Sequence, residues 1–144
     1  MIQIKNAKEL EVMRRACEIS AAALRLGGES IEAGITTADI DKLIYDYIVK
    51  QGAKPNFKGL YGFPGTACIS VNDEVIHGIP SKKKVIRPGD IVSIDTGAAW
   101  GGFNGDNACT FGCGKLDLEA QRLLDVTRES LHRGIRAAVC GARI

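Results

Sequence analysis

Two kinds of apolar spacing alternate along the chain. From Asn6 to Leu26 the apolar positions Leu10, Met13, Cys17 and Ile19 to Ala21 recur at helical intervals, which predicts a first helix. Asn6 is its expected N-cap, because a short polar side chain accepts a hydrogen bond from a free N–H of the first turn. Gly27-Gly28 is expected to weaken its end, and Gly34 to break the chain. A second helix starts at Thr36, with Asp39 three residues on in capping-box spacing. It carries Ile40, Leu43, Ile44, Tyr47 and Ile48 on one face and ends near Gly52, a stripe broad enough to lie against a sheet. The spacing then shortens. Ala67 to Val71 reads as a strand, Asn72-Asp73-Glu74 as a turn, and Val75-Ile76-His77 as the start of a returning strand. Ile91 to Ile94 and Ala108 to Phe111 are strand-like runs on either side of the turn signal Trp100-Gly101-Gly102, which together predict a β-hairpin. After Gly112–Gly114, Asp117 caps a last helix whose apolar face is Leu123, Leu124, Val126, Leu131, Ile135 and Val139. His132 reads as a surface residue of that helix, which fades at Gly141.

Lys54 to Gly65 fits neither spacing. Gly59, Gly62, Pro64 and Gly65 punctuate it, with Phe57, Leu60, Tyr61 and Phe63 between them. Aromatics on such a loop either line a pocket or cover a sheet edge.

Composition changes this picture little. A chain of 144 residues is expected to make one domain, residues 1–144, with a core of its own. Its 45% hydrophobic and 25% charged residues are ordinary globular values. A net charge of +2 gives no case for a polyanionic partner, and Lys82-Lys83-Lys84 reads as a solvated loop face. No apolar run approaches the roughly 20 residues that span a bilayer, and Met1 to Asn6 lacks the basic-then-apolar order of a secretory leader. The five cysteines, Cys17, Cys68, Cys109, Cys113 and Cys140, are odd in number and contain no C-x-x-C, which points to reduced thiols and a cytoplasmic setting. Cys109 and Cys113 have no second pair or nearby histidine to complete a metal site.

The hairpin carries the chemistry. If it folds about the Trp100–Gly101 bond, Asp95 stands opposite Asp106, since both pairs of numbers have the same sum. Opposed residues share a face with Cβ atoms roughly 4.5–5.5 Å apart. Two ionised carboxylates at that separation repel, so the pair implies either a shared proton or a cation between them. His77, one of two histidines, sits between a strand and Gly78-Ile79-Pro80, where a turn would present its ring in a cleft.

Three stretches carry a resemblance: Ile69 to Pro80 (ISVNDEVIHGIP), Gly89 to Asp95 (GDIVSID), and Gly102-Phe103-Asn104-Gly105-Asp106 followed by Thr110-Phe111. In that order and spacing the chain resembles, end to end, the N-terminal half of a type I methionine aminopeptidase. The resemblance implies an α+β fold: one half of the pita-bread architecture, a curved antiparallel sheet with helices on its outer face, the C-terminal half being absent. It implies removal of the N-terminal methionine from nascent proteins, with two divalent ions, Co, Mn, Fe or Zn, held by two Asp, one His and two Glu. Asp95 and Asp106 match the two Asp; the other three ligands belong to the second half. His77 matches the histidine that contacts the scissile amide, and Phe57, Phe63 and Cys68 match part of the methionine pocket. Leu60-Tyr61 stands where Tyr-Gly is usual, which displaces the pocket's aromatic by one residue. Asn104 stands where a non-ligand His is common, so an outer effect on the metal is expected.

With two of five ligands, the isolated chain is expected to be inactive and to associate with itself through the face the second half would cover. The nascent peptide, and with it the ribosome exit region, is the expected partner. Rival readings are a non-enzymatic pita-bread module that binds a peptide or protein, a prolidase-like peptidase of the same fold, and a homodimer whose two copies imitate the two halves.

Overall fold

A computed structural model describes residues 3–143. In chain order its elements are α1 (Ala7–Glu29), α2 (Thr37–Lys50), β1 (Lys54–Pro55), a 3-10 turn (Leu60–Gly62), β2 (Ala67–Val71), β3 (Ile91–Trp100), β4 (Phe103–Gly112) and α3 (Leu118–Ala137).

The caps read from the sequence close as drawn. Asn6 accepts the Glu9 N–H while the Glu9 carboxylate takes the Asn6 N–H, and Thr36 with Asp39 repeats the arrangement. Asp117 accepts the Ala120 N–H at the start of α3. The end of α1 differs from expectation. The helix runs through Gly27-Gly28 to Glu29. The two glycines do not end it because they are contact points. A Cβ on Gly27 would lie 2.8 Å from Ile44 Cδ1, and one on Gly28 would lie 2.2 Å from the Phe111 ring. Their helix-weakening tendency is offset by close packing of α1 on α2 and the sheet. The buried face of α1 is Ala16, Ile19, Ser20, Ala23, Leu24 and Gly27, whereas Leu10 and Met13 lie at its exposed margin.

β3 is the centre of the sheet, and every pairing is antiparallel. β4 runs along its whole length on one edge. β1 and β2 share the other edge, with Lys54 and Pro55 against Ala99 and Ala98, and Ala67–Val71 against 92–96. Because side chains alternate along a strand, β3 sorts cleanly. Val92, Ile94, Thr96 and Ala98 are fully buried and point toward the helices. There they meet Ile19, Ala23, Ile40, Ile44, Ile48 and Ile69 in one apolar cluster. Ser20 Oγ donates to the Thr96 carbonyl at 2.8 Å, and Gly105 lets α1 come so close that a Cβ there would lie 2.4 Å from the Ala16 backbone. The opposite face carries Cys68 and Ser70 of β2, Ser93, Asp95 and Gly97 of β3, and Asn104, Asp106, Ala108 and Thr110 of β4. No helix covers it.

Three further expectations change. Val75-Ile76-His77 forms no strand; of residues 75–78, Gly78 alone makes a backbone hydrogen bond to β2 among the described residues. Lys82 and Lys83 are solvated, but Lys84 is half-buried in an ion pair with Glu74. α3 forms with its predicted apolar stripe, except that Val139 lies beyond its end, yet none of its residues is buried; Leu131 is 63% exposed. It therefore does not join the layer of helices on the outer face.

Candidate functional site

The hairpin closes on Gly101-Gly102, with Trp100 facing Phe103. Both glycines have positive φ, 58° and 83°, the combination that a two-residue type I′ turn demands and that suits the twist of the flanking strands. This moves the centre by one residue, from Trp100–Gly101 to Gly101–Gly102. Asp95 pairs with Ala108 and Asp106 with Gly97. The two aspartates are thus diagonal neighbours instead of directly opposed. Since the partner shifts by two positions, both stay on the uncovered face.

They sit in a cleft of about 580 Å³ on that face. Phe57, Leu60, Tyr61, Phe63 and Pro64 line it together with His77 and Ile79, and Cys68 lies beside Asp95 on the neighbouring strand. The aromatic loop therefore lines a pocket. Asn56 N–H donates to the Gly97 carbonyl at 3.0 Å, and the Phe57 ring lies over Gly97, where a Cβ would come within 3.2 Å of it. The far end of the loop is tied to α2. Asp41 accepts the Thr66 and Ala67 N–H groups at 2.7 and 2.8 Å, and Lys58 stacks 4.3 Å above the Tyr45 ring. Tyr61 stands fully exposed at the rim with φ 48°.

Burial is the largest influence on the Asp95 carboxyl, and the charge of Asp106 and a hydrogen bond between the two groups add to it; together they push its pKa up to about 6, against an opposing pull from His77. Asp95 Oδ1 is buried with no hydrogen-bond partner among the described residues. A buried carboxylate oxygen without a donor, beside a second carboxylate, is a donor set that fits a divalent cation. It is also an incomplete one. Among the described residues no group of three or more His, Cys, Asp or Glu side chains could hold a metal. Burial and the same two aspartates push the Cys68 thiol up to about 11, so it meets a ligand as a neutral, apolar sulfur. The five cysteines are free, and Cys109 is exposed while Cys113 is buried, so the pair forms no site.

The structure thus brings together every residue singled out in the sequence: Asp95, Asp106, His77, Phe57, Phe63 and Cys68. Asn104 lies on the same face as Asp106, two positions along β4, and is exposed. Asp41, Ile79 and Pro64 were not anticipated. Ile79 follows the His77-Gly78 signal directly, but nothing periodic marks Asp41, whose role depends on the N–H groups of a distant strand.

Residues 11–144 match metallopeptidase family M24. The methionine aminopeptidase of Clostridium acetobutylicum is 48% identical over 144 residues, covering 100% of this chain and 58% of its own length. Methionine aminopeptidase 1 of Bacillus subtilis is 43% identical over 144 residues, again covering 100% of this chain and 58% of its own. The crystal structure of a methionine aminopeptidase from Thermotoga maritima superposes with a TM-score of 0.91 at 42% identity, over 96% of this chain and 55% of that one. The α+β arrangement seen here is the half pita-bread fold of those enzymes. The chain spans little more than half the length of these relatives.

Proposed function

The chain belongs to metallopeptidase family M24, and we propose that it supplies one wall of a methionyl aminopeptidase site, which removes the N-terminal methionine from nascent proteins. The observation that carries this reading is the position of Asp95 and Asp106 in one cleft with an apolar, aromatic wall. An unbranched thioether side chain fits between Phe57, Phe63 and the neutral thiol of Cys68, where sulfur and ring edges make favourable contacts. Asp95 and Asp106 would hold divalent ions, two in the complete site, of the Mn, Fe, Co or Zn kind. Such an ion supplies Lewis acidity at the scissile carbonyl.

The remaining roles belong to side chains. Methionine binding in the pocket directs the free α-amine and the first peptide bond toward the two carboxylates. His77, across the cleft, donates a hydrogen bond to the scissile amide and supports the charge that develops there. The raised Asp95 pKa means that cation binding displaces a proton near pH 6, so metal affinity falls as the medium is acidified through that value. Nascent chains near the ribosome exit, in the cytoplasm, are the substrates this reading implies. No helix among the described residues is long and apolar enough to cross a membrane.

Two carboxylates do not make a complete site, so the 144-residue chain on its own is inactive under this proposal. Calorimetric titration with Mn2+ or Co2+ is expected to show weak binding, lost in Asp95→Asn and Asp106→Asn. Met-Ala-Ser hydrolysis in the same mixtures stays at the blank rate. Silence in the titration points instead to a non-enzymatic peptide-binding module. Turnover that disappears in Asp106→Asn overturns the partial-site reading.

A further inference from the structure

His77 is poorly held by its own surroundings. It is exposed, its neighbours Val75 and Ile76 are exposed, and its side chain makes no hydrogen bond to the described residues. Its backbone has φ 57°, in the left-handed region that a residue with a Cβ avoids. A conformation of this kind persists only where the surroundings impose it.

The imposing contact is one residue further on. Gly78 is buried against the free edge of β2. Its N–H donates to Ser70 Oγ at 3.0 Å, and its carbonyl accepts the Ile69 N–H at 2.8 Å. A Cβ at position 78 would lie 2.2 Å from the Ile69 carbonyl oxygen and 2.8 Å from Ser70 Cα, so only glycine lies this flat on the strand. The Gly78 N–H belongs to the peptide plane that leaves His77. Fixing that plane fixes the direction in which residue 77 projects. The other ties on the loop act further off. Asn72 bonds Ile91 and Asp90, while Glu74 accepts the Val71 N–H and pairs with Lys84. These hold the two legs of the loop and leave its tip to the Ser70–Gly78 contact.

We propose that Ser70 is a positioning residue: a side chain 4% exposed, on the cleft face of β2, whose hydroxyl clamps the Gly78 amide and so aims the His77 imidazole into the cleft that holds Asp95 and Asp106. The proposed function is assumed only for what the imidazole does there. The clamp rests on the geometry of residues 69–78.

The test compares the parent chain with Ser70→Ala, Ser70→Thr and Gly78→Ala by NMR, using Mn2+ as a paramagnetic probe. With only two histidines, His132 on α3 serves as the internal reference. In Ser70→Ala the Gly78 amide is expected to exchange about tenfold faster, the factor carried by one ordinary hydrogen bond. The amide of Ile94, on the central strand, keeps its protection. The His77 amide–α coupling leaves its left-handed value, and broadening of the His77 ring by Mn2+ weakens. Ser70→Thr restores these signals, because the hydroxyl is kept. Gly78→Ala gives the same His77 changes from the loop side, so the proposal stays testable if Ser70→Ala does not fold. Faster Gly78 exchange with an unmoved His77 coupling and ring signal overturns the positioning role and leaves Ser70 merely structural. Absence of broadening at Asp95 and Asp106 in every chain overturns the metal reading instead, while the exchange rate and coupling still decide the clamp.

Discussion

α1 and α3 are nearly the same object in sequence. Each is a capped helix of about six turns with an apolar stripe, 23 and 20 residues long. In the structure they differ completely. α1 buries six residues against β3, β4 and α2, and at Gly105 its backbone almost touches the sheet. α3 buries none. Amphipathicity thus states what a helix is able to do, while the neighbouring surface decides whether it does it. α1 fits closely because its own Gly27 and Gly28 admit Ile44 and the Phe111 ring, and because Gly105 of β4 lets the sheet backbone approach the Ala16 backbone. The same contrast divides the sheet. The face under α1 is apolar and closed, and the face without a helix keeps its carboxylates and its cleft.

The largest expected effect attacks the closed side. Gly105→Ala puts a methyl 2.4 Å from the Ala16 backbone, where neither partner is a flexible side chain. It should lower stability by about 1–3 kcal/mol, the usual cost of overpacking, read from the urea midpoint. An unchanged midpoint would mean that α1 is not seated as closely as described.

Next comes the open side, through pH. Asp95 holds its proton to about pH 6 when folded and only to the ordinary carboxylate value, about 3.9, when unfolded. Its stabilising contribution is full below pH 4 and is lost as pH rises through 6. Asp95→Asn, measured without metal, is therefore expected to be more stable than the parent at pH 7, the two converging near pH 4. A gap that widens on acidification would reverse the sign and the argument with it.

The smallest effect belongs to α3. Leu131→Ala removes an exposed side chain and is expected to change stability by no more than about 0.5 kcal/mol. A loss of several times that, growing with protein concentration, would show that the stripe is covered by a second molecule in solution.

The helices, the caps and the hairpin were legible because each depends on residues close in sequence. The failures at Gly27-Gly28 and at Val75 to His77 lie where a distant surface decides. Gly27-Gly28 reads as a helix end until Ile44 and Phe111 are placed against it. Val75 to His77 has strand composition, but the chain returns to the edge of β2 only at Gly78, among residues 75–78. The site survived an error in the hairpin's centre because Asp95 and Asp106 remain on one face when the register slips by two. Asp41 and Ser70 were invisible for a different reason: each acts on backbone N–H groups far away in the chain or across a loop, and such groups leave no mark in a side-chain pattern.

That tolerance to a slip of two has a counterpart. The Gly101-Gly102 turn acts as a gauge for the whole strand pair. A slip of one residue in the pairing it sets would turn every side chain of β4 to the other face, carrying Asp106 toward α1 and Phe111 away from it. The turn that sets the pairing therefore also decides which face of the sheet receives the second carboxylate.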